Sequence, residues 1–355
     1  MNPETPYVVV DRDILERNLD SMAEQARAKG FALRPHAKTH KMPELAKLQE
    51  KYGATGITVA TIGEAEVFAK KGIRDIFIAY PLYLTDQKLR KLRKLNRKIR
   101  LTLAIDSLAG AKSLSPLGGV RVMVEIDSGH HRSGVLPQEA GKLAQRARKL
   151  GLAPVGIFTF PGHSYNPKGR QAAVVQEEAA LSIAALSFEE VGVACEVISS
   201  GSTPTAKLSK SGLINELRPG VYVFNDAQQW ELGSCDKSDI ALWVRATVVS
   251  ASGNKIILDS GSKILGADRA SWATGHGRLL DFPDARITAL SEHHATVIFE
   301  TSKSPKPKSL PKIGDTVRVV PNHVCSCVNL VDSVFLESGE LITGSWKVAA
   351  RGKNS

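Results

Sequence analysis

The sequence predicts an α/β chain in which a (β/α)8 barrel is followed by a β-rich C-terminal domain. Through the first two-thirds of the chain, short β-branched runs alternate with stretches of helical periodicity, a pattern typical of parallel strands joined by helices. No Gly-x-Gly-x-x-Gly motif follows the first strand, which argues against a doubly wound dinucleotide-binding sheet. Beyond about residue 235, strand-like runs continue without a long helical pattern between them.

The elements of the barrel follow one another along the chain. We expect strands at residues 7–10, 31–33, 57–60, 76–79, 101–105, 120–126, 155–160 and 193–198. We expect helices at residues 13–29, 43–52, 62–71, 85–96, 137–150 and 171–191. If the strand at residues 7–10 belongs to the other domain, the run at residues 31–33 is the first strand of the barrel.

The C-terminal part is predicted to consist of short strands separated by Gly, Pro and Asn. These strands are expected at residues 240–250, 255–259, 286–290, 295–300, 316–321, 324–331 and 333–336, with a polar, Pro-rich loop at residues 302–311. We therefore predict a barrel domain over residues 8–235. We predict a β-rich domain over residues 236–355 that also includes residues 1–7.

The composition excludes several classes of protein. Apolar residues make up 43% of the 355 residues and charged residues 23%, which is typical of a globular chain and not of a disordered or fibrous one. No apolar run approaches the ~18 residues of a membrane span, and no secretory signal is visible at the N-terminus. Four cysteines do not make a disulfide framework, so we expect a reducing, cytoplasmic location and no membrane association.

Much of the net charge of +11 lies in residues 88–100, which contain eight basic side chains. Apolar residues recur at helical spacing in this segment, which predicts an amphipathic helix with a basic face in solvent; they are Leu89, Leu92, Leu95 and Ile99. This interpretation is favoured over a nucleic-acid-binding patch because no zinc finger or aromatic-rich RNA-binding motif accompanies the segment. We expect no nucleic-acid partner.

The densest cluster of reactive side chains is Arg-Pro-His-Ala-Lys-Thr-His-Lys at residues 34–41. It follows a predicted strand, and parallel α/β folds place catalytic groups at the carboxyl ends of strands. With Arg34 and Lys41 as cationic neighbours, the uncharged amine of Lys38 would be favoured and could form an imine. From composition alone, a basic surface loop is the better interpretation.

A second segment, Asp-Ser-Gly-His-His-Arg-Ser-Gly at residues 127–134, follows the predicted strand at residues 120–126. Arg132 in this loop could donate hydrogen bonds to an anionic oxygen of a ligand. Pairing of Arg132 with a nearby carboxylate such as Asp127 explains its presence equally well.

A third segment, Ser-Ser-Gly-Ser-Thr-Pro-Thr at residues 199–205, offers hydroxyls and backbone N–H groups that could bind a phosphate. The turn at residues 218–222 lies a short distance on and could complete the cradle. Clusters of Ser, Thr and Gly are usually plain turns, so the segment alone is a weak indication.

A fourth segment, Pro-Asn-His-Val-Cys-Ser-Cys at residues 321–327, contains candidate metal ligands. On the predicted strand, His323 and Cys325 would point to one face and could both bind zinc, with Cys327 as a candidate extra ligand. Two protein ligands with open positions describe a Lewis acid that faces substrate. A half-buried strand with small, apolar cysteines is equally compatible with the spacing.

Together these segments resemble the fold-type III pyridoxal-phosphate enzymes, the alanine racemase-like group, and are most similar to its D-serine dehydratase and D-threonine aldolase family. The similarity spans nearly the whole chain. Residues 34–41 resemble the family's cofactor-lysine motif, which implies that Lys38 is the Schiff-base lysine. Residues 127–134 resemble the loop whose arginine contacts the phenolic oxygen of the cofactor, which implies that role for Arg132.

The resemblance assigns further cofactor positions. Phe-Pro-Gly-His-Ser-Tyr at residues 160–165 is similar to a family segment, which implies that His163 and Tyr165 lie near the ring. Arg218 matches the arginine that faces the pyridine nitrogen in racemases, so Arg218 and Tyr165 are two candidates for that place. The positions that match the family's phosphate-binding residues are Gly201, Ser202, Thr203, Gly220 and Val221. The adjacent Tyr222 is a further candidate cofactor-binding residue.

The metal pair separates the subfamilies that the sequence resembles. The dehydratases carry His-x-Cys with zinc, whereas the aldolases carry His-x-Asp with manganese or a similar ion. His323 and Cys325 therefore imply Zn2+, with Mn2+, Co2+ or Mg2+ as alternatives. The chain departs from the family pattern at His293, where a second acidic residue is expected.

The resemblance implies a homodimeric lyase that eliminates water from a D-β-hydroxy amino acid, such as D-serine or D-threo-3-hydroxyaspartate, to give an oxo acid and ammonia. The alternative is a metal-dependent D-threonine or D-phenylserine aldolase that gives glycine and an aldehyde. A two-base racemase is disfavoured because residues 231–355 contain no tyrosine. A barrel-only protein that carries pyridoxal phosphate without catalysis is disfavoured by the 120 residues after Cys235.

Overall fold

The computed structural model describes residues 3–300, 310–339 and 341–355. The chain forms two compact units. The first unit comprises Met1–Leu19, Thr39–Met42 and Val221–Arg351, and the second comprises Asp20–Lys38, Pro43–Gly220 and Gly352–Ser355. The predicted boundary between residues 235 and 236 falls inside the first unit. The division into a barrel domain and a β-rich domain at this boundary stays a prediction.

The strands and helices are numbered in chain order. The strands are β1 (Tyr7–Asp11), β2 (Ala32–Leu33), β3 (Ile57–Val59), β4 (Asp75–Pro81), β5 (Arg100–Ile105), β6 (Arg121–Glu125), β7 (Ala153–Phe158), β8 (Val197–Ser200), β9 (Glu216–Leu217), β10 (Leu242–Ser252), β11 (Lys255–Leu258), β12 (Gly277–Leu279), β13 (Arg286–Leu290), β14 (Ala295–Ile298), β15 (Thr316–Pro321), β16 (Ser333–Ser338) and β17 (Leu341–Lys347). The helices are α1 (Arg12–Ala28), α2 (Pro43–Lys51), α3 (Ile62–Lys70), α4 (Asp86–Asn96), α5 (Leu108–Leu114), α6 (Ala140–Lys149), α7 (Arg170–Glu190), α8 (Thr203–Ala206), α9 (Ala227–Glu231), α10 (Ser262–Leu265) and α11 (Val324–Asn329).

The second unit contains a sheet of eight parallel strands in the order β2-β9-β8-β7-β6-β5-β4-β3. An isolated parallel bridge between His36 and Thr58 joins the two ends of this order, and the Thr58 N–H donates to the Pro35 carbonyl at 2.8 Å. Apolar side chains of the strands, such as Ile57 and Leu103, are fully buried, because both faces of a parallel sheet are covered. The predicted α/β class with a (β/α)8 barrel and a β-rich part is confirmed.

The first unit contains the β-rich sheet, in which β13-β14-β11-β10-β1-β16-β17 are neighbours and β15 pairs with β10 and β12. The N-terminal strand β1 pairs with β10 and β16, so it belongs to this sheet and the barrel begins at β2. A buried apolar cluster that includes Val9, Ile240 and Trp243 forms part of its core.

The structure corrects several predicted elements. Residues 324–331, predicted as a strand, form helix α11 over most of their length, because a short apolar run does not separate helix from strand by periodicity. Strand β8 begins only at residue 197, and the elements α5, β9, β12 and β17 were not expected. Most of the predicted Pro-rich loop at residues 302–311 lies outside the described residues.

The basic segment forms helix α4, as expected. Leu92 and Leu95 are buried, whereas Arg93 and Lys94 are exposed, so the helix docks by its apolar face. Thr85 caps its N-terminus by accepting a hydrogen bond from the Lys88 N–H. Within the described residues, no helix combines the length and the hydropathy needed to cross a membrane.

Candidate active site

Lys38 lies just beyond the carboxyl end of β2, in a 3-10 turn formed by Ala37–Thr39. The Lys38 N–H donates to Nδ1 of His36 at 3.4 Å, and His36 is the residue that bridges to β3. Active sites of this barrel architecture lie at the carboxyl ends of the strands. The position of Lys38 is therefore compatible with its predicted role, and the role itself stays a prediction.

The ring of Phe160, two residues beyond β7, is contacted by several of the predicted site residues. Nζ of Lys38 lies 5.7 Å from the ring centroid, and Cζ of Arg132 lies 5.2 Å from it. The rings of His130 and Tyr165 lie at centroid distances of 5.7 and 6.3 Å from Phe160. The structure thus brings Lys38, Arg132 and Tyr165 together around one aromatic ring, although they follow three different strands.

The loop after β6 is ordered by Asp127, which does not pair with Arg132. The Asp127 carboxylate accepts hydrogen bonds from the N–H groups of Gly129 and His131, both at 3.0 Å, and lies 2.8 Å from Nδ1 of His131. Burial would raise the pKa of Asp127, but these hydrogen bonds outweigh it and lower the pKa. The carboxylate nearest to Arg132 is Glu125, at 3.9 Å, and the Arg132 side chain is more than half exposed.

Arg34 does not provide the free positive charge that the sequence suggested beside Lys38. Its guanidinium lies 2.6 Å from Asp75 and 2.7 Å from Glu216, so two carboxylates balance its charge. Lys41 donates from Nζ to Oδ1 of Asn329 at 2.8 Å. The expectation that these two cations favour the uncharged amine of Lys38 is therefore weakened for Arg34 and stays a prediction for Lys41, whose acceptor is a neutral amide.

We call residues 199–205 the hydroxyl loop. Gly201 has a φ of +88°, and a Cβ at this position would approach Cδ2 of Leu217 to 3.0 Å, so the turn favours glycine. Ser202 and Thr203 are buried, and Oγ of Ser202 lies 2.9 Å from Oγ of Ser164 in the segment that carries His163 and Tyr165. The loop therefore concentrates buried hydroxyls after β8.

Gly220, Val221 and Tyr222 are contiguous in sequence and fall on either side of the boundary between the two units. Gly220 is the last residue of the second unit before the boundary. Val221 and Tyr222 are buried in a 3-10 turn, Val221–Val223, at the start of a segment of the first unit. Their joint role with Ser202 in binding a phosphate stays a prediction.

Arg218 is buried inside the barrel with its donors engaged. Nε donates to Oγ of Ser199 at 2.8 Å, and a terminal nitrogen donates to the carbonyl of Thr159. Its Cζ lies 5.0 Å from the centroid of the Phe158 ring and 5.7 Å from that of Phe77. Burial lowers the pKa of Arg218 to about 10, although nearby carboxylates oppose this shift, so the side chain keeps its charge at neutral pH.

The imidazole of His163 indicates whether the barrel residues fit a bound cofactor, because its ring nitrogens are buried and polar. Both of its ring nitrogens are buried, and neither has a hydrogen-bond partner among the residues that the structure describes. The preceding Gly162 packs so closely on the His130 ring that a Cβ would come within 2.5 Å of it. An unpartnered imidazole, in a segment whose Phe160 ring contacts an amine and a guanidinium and whose Ser164 contacts the hydroxyl loop, fits an aromatic phosphate ester such as pyridoxal phosphate.

The candidate metal ligands lie at the start of α11, where the strand-based argument for their pairing is wrong. His323 is the N-cap residue and Cys325 lies in the first turn. Cys327 is fully buried and burial raises the pKa of its thiol to about 12, whereas Cys325 is partly exposed. Residues two apart on a helix do not share a face, so Cys327 is not placed as an extra ligand beside Cys325.

His323 and Cys325 nevertheless lie together. Negative charge on the nearby Cys325 sulfur raises the pKa of His323 well above its usual value against the effect of burial, with a further contribution from Asp226. Oδ2 of Asp226 lies 3.5 Å from Nδ1 of His323, and Sγ of Cys325 donates to Oγ1 of Thr39 at 3.4 Å. Thr39 directly follows Lys38 in the chain.

These donors suit a transition-metal ion. Imidazole and thiolate are preferred zinc ligands, and a carboxylate on the second ring nitrogen is the usual support for a metal-binding histidine. In the described ranges, no group of three or more His, Cys, Asp or Glu residues is arranged to hold a metal. His323 and Cys325 therefore stay the predicted pair, with the remaining positions left for other ligands.

Three residues that support predicted site residues were not identified from the sequence. In the sequence, Asp226 is recognisable only as a helix N-cap, and Phe160 only as part of its motif. Glu177, a buried residue of α7, is recognisable only as a carboxylate among the apolar residues of a helix. Their significance comes from partners that are distant in sequence.

Comparison with known proteins identifies two family models along the chain. Residues 10–228 match the model described as alanine racemase, N-terminal domain, and residues 241–336 match the putative serine dehydratase domain. D-threo-3-hydroxyaspartate dehydratase of Delftia sp. (strain HT23) is 34% identical over 350 residues, which cover 91% of each chain. D-threonine aldolase of Arthrobacter sp. is 31% identical and covers 98% of this chain and 93% of its own.

Solved structures show the same relationship. The Delftia sp. HT23 D-threo-3-hydroxyaspartate dehydratase superposes with a TM-score of 0.87 at 30% identity, covering 98% of this chain and 97% of that chain. Alanine racemase of Clostridium difficile 630 superposes with a TM-score of 0.69 at 15% identity and therefore shows the shared fold alone. The chain belongs to the fold-type III, alanine racemase-like family of pyridoxal-phosphate enzymes and is a lyase of the D-serine dehydratase type.

Proposed function

We propose that the enzyme is a pyridoxal-phosphate- and zinc-dependent dehydratase that eliminates water from a D-β-hydroxy amino acid to give an oxo acid and ammonia. The observation that carries this proposal is the pairing of His323 with Cys325, supported by the buried carboxylate of Asp226. A thiolate in the second ligand position favours zinc over the harder ions that prefer carboxylates. The aldolases that the sequence resembles carry aspartate at that position.

The names of the relatives support a broader assignment than this proposal. The relatives named as D-threo-3-hydroxyaspartate dehydratase, D-serine dehydratase and D-threonine aldolase are all lyases of D-amino acids by their names, and each covers over 90% of this chain. The enzyme is accordingly a D-amino acid lyase. D-serine and D-threo-3-hydroxyaspartate are the substrates we propose first.

The residues of the barrel would hold the cofactor and move protons. Lys38 would bind the cofactor through Nζ and, once released, accept the α-proton of the substrate at that atom. Arg132 would donate to the phenolic oxygen, and the hydroxyls of Ser202 and Thr203 would hold the phosphate. When bound, the conjugated ring of pyridoxal phosphate delocalises the charge that develops at the α-carbon.

The ring nitrogen of the cofactor has two candidate partners. Arg218 already donates to Ser199 and Thr159, whereas Tyr165 lies beside the Phe160 ring together with Lys38 and Arg132. These contacts support Tyr165 for the place beside the ring nitrogen. His163, with two unpartnered ring nitrogens, would pack against or donate to the cofactor.

His323 and Cys325 would hold the metal ion, with Asp226 orienting the imidazole. A zinc ion supplies Lewis-acid assistance to the departure of the β-hydroxyl, a poor leaving group, on the order of several kcal/mol. We propose zinc as this ion, with Mn2+, Co2+ or Mg2+ as alternatives. We also propose that the enzyme is a cytoplasmic homodimer, on its sequence features and its family resemblance.

A metal-dependent D-threonine or D-phenylserine aldolase is the second candidate. The specific observation in its favour is that the D-threonine aldolase of Filomicrobium marinum superposes as well as the dehydratase does, with a TM-score of 0.87 at 29% identity. The chain therefore carries a fold that both reactions use. The second metal ligand, Cys325, is the feature that favours elimination.

The test is product analysis with a panel of D-β-hydroxy amino acids. D-serine, D-threonine, D-phenylserine and D-threo-3-hydroxyaspartate are assayed for ammonia and oxo acid, and separately for glycine and aldehyde. A dehydratase releases the first pair from at least one substrate, and release of glycine and aldehyde alone would establish the aldolase instead. Cys325→Asp is the matched variant, in which we expect the share of aldehyde to rise.

A further inference from the structure

The interior of the barrel contains a carboxyl group, that of Glu177, to which the proposed function gives no part. Glu177 lies in the middle of α7 and is fully buried. Buried carboxyl groups are rare unless they are hydrogen-bonded, because burial of a charged or polar group without partners is costly. The contacts of Glu177 therefore indicate what it does.

The hydrogen-bond partner of Glu177 lies in the hydroxyl loop. Oε2 of Glu177 accepts a hydrogen bond from the Ser200 hydroxyl, whereas Oε1 is buried and has no hydrogen-bond partner among the residues that the structure describes. The Gly201 N–H and the Thr205 side chain lie close enough to the carboxyl to lower its pKa. Oγ1 of Thr205 in turn accepts from the Ser202 N–H at 2.9 Å. The buried carboxyl thus binds the beginning of the loop at Ser200 and lies near the turn at Gly201 and the end at Thr205.

The same face of α7 makes a second contact with this loop. The guanidinium of Arg170, the first residue of the helix, donates from two nitrogens to the Pro204 carbonyl, both at 3.3 Å. Residues 170 and 177 are seven apart, which is close to two helical turns, so they project from one face. Helix α7 therefore fixes the hydroxyl loop at two points.

The protonation state of Glu177 is suited to a site for an anion. Burial raises the pKa of Glu177 to about 7, although the hydrogen bonds and the charge of Arg218 oppose the shift. An acid that holds a proton near neutral pH can occupy the base of a phosphate site without the repulsion that a carboxylate would cause.

We propose that Glu177 is a positioning residue for the phosphate of the cofactor, holding the hydroxyl loop in the conformation that presents the hydroxyls of Ser202 and Thr203. This inference rests on the proposed use of these two residues as phosphate ligands. Glu177 does not touch the phosphate in this proposal, and it acts through its hydrogen bond with the Ser200 hydroxyl.

The experiment compares the affinity of the apoenzyme for pyridoxal phosphate with its affinity for pyridoxal, which lacks the phosphate. The two ligands are titrated into wild-type enzyme and into Glu177→Leu, Glu177→Gln and Glu178→Gln, with binding followed by absorbance. We expect Glu177→Leu to weaken pyridoxal phosphate roughly 10- to 100-fold and pyridoxal less than about threefold. Glu177→Gln keeps an acceptor of the same size and should restore affinity to within about threefold of wild type.

The adjacent Glu178→Gln is the matched control, because residue 178 projects from a different side of α7, and it should leave the ratio of the two affinities unchanged. If Glu177→Leu does not fold, Ser200→Ala removes the same hydrogen bond from the loop side. We expect the affinity for pyridoxal phosphate relative to that for pyridoxal to fall roughly three- to tenfold in this variant. An unchanged ratio of the two affinities in Glu177→Leu would overturn the proposal. If Glu177→Leu does not fold, an unchanged ratio in Ser200→Ala would overturn it instead. Equal losses for both ligands would also overturn it, because they indicate general damage to the barrel.

Failure of this proposal is distinguishable from failure of the proposed function. The titrations measure cofactor binding without turnover, so release of glycine and aldehyde by the wild type would contradict the dehydratase and leave the role of Glu177 standing. An unchanged ratio in a variant that still forms ammonia would remove the role of Glu177 and leave the dehydratase standing.

Discussion

Asp226 holds His323 through Nδ1, at a distance of 3.5 Å, from a position that is fully buried. The carboxylate is itself fixed, because it accepts hydrogen bonds from the N–H groups of Gln229 at 2.9 Å and Val324 at 3.2 Å. The imidazole is thereby fixed beside the Cys325 side chain. Oriented imidazoles of this kind are the usual metal ligands of zinc enzymes.

Asp226→Asn should weaken zinc binding. The amide keeps the hydrogen bond that caps α9, since Asn and Asp are equally good N-cap residues, but it removes the negative charge behind the imidazole. We expect the affinity for zinc to fall about 10- to 100-fold, measured by competition with a chromophoric chelator. Asp284→Asn, an exposed position in the same unit, is the control and should have no effect. Equal zinc affinity in Asp226→Asn and wild type would show that Asp226 does not support a ligand.

The two cysteines of α11 should differ in their reactivity. Burial raises the pKa of the Cys327 thiol to about 12, and the thiolate is the reactive form, so iodoacetamide should leave Cys327 unmodified in the folded protein. Cys325 is partly exposed and should be alkylated in the metal-free enzyme, and zinc should protect it. Mass spectrometry of peptides checks both statements. Modification of Cys325 at the same rate with and without zinc would contradict its role as a ligand.

Glu177 should make stability depend on pH. Its pKa is raised from 4.5 to about 7 in the folded protein, so between these values the native state binds more protons than the unfolded state. The free energy of unfolding therefore falls as the pH rises through this window. Glu177→Gln lacks this titration, so its stability relative to wild type should improve by roughly 1–3 kcal/mol between pH 5 and pH 8. Denaturant unfolding of the apoenzyme at both pH values measures the difference, and a constant difference would mean that the pKa is not raised.

The Phe160 ring should matter for catalysis although it has no polar group. Phe160→Leu removes the ring that lies near Nζ of Lys38 and the guanidinium of Arg132. Because cation–π contacts contribute about 0.5–2 kcal/mol, we expect kcat/KM to fall roughly 2- to 30-fold in cofactor-saturated enzyme. Phe282→Leu, which removes an edge-to-face aromatic contact with Phe299 in the β-rich unit, is the control. An unchanged kcat/KM in Phe160→Leu would show that neither cation depends on the ring.

The sequence predicts the fold well where the pattern is long or strongly β-branched. Strands β13 and β15 are predicted at their observed bounds, because Gly, Pro and charged residues mark their ends. Helix α5 and strand β9 escaped notice because the first is short and rich in Gly, Ala and Ser, and the second has only two residues. Residues 324–331 were assigned wrongly because a run of Val and Cys fits a strand as well as a helix.

Only those residues of the candidate site that lie in recognisable sequence motifs can be predicted from the sequence. Lys38, Arg132 and Tyr165 lie in recognisable segments, and the structure brings them together at Phe160. The supporting residues Asp226 and Glu177 could not be found in the same way, because their partners are far away in sequence. Their importance depends on burial and on hydrogen bonds that only the folded chain shows.

The most direct measurement of the central claim uses D-threo-3-hydroxyaspartate, which can undergo either reaction. Enzyme loaded with pyridoxal phosphate is stripped of metal with a chelator, and products are quantified before and after zinc is restored. We expect oxaloacetate and ammonia in equal amounts, lost on removal of the metal and regained with zinc, while the cofactor stays bound throughout. Full activity in the stripped enzyme, or glycine and glyoxylate as the products, would contradict the assignment as a zinc-dependent dehydratase.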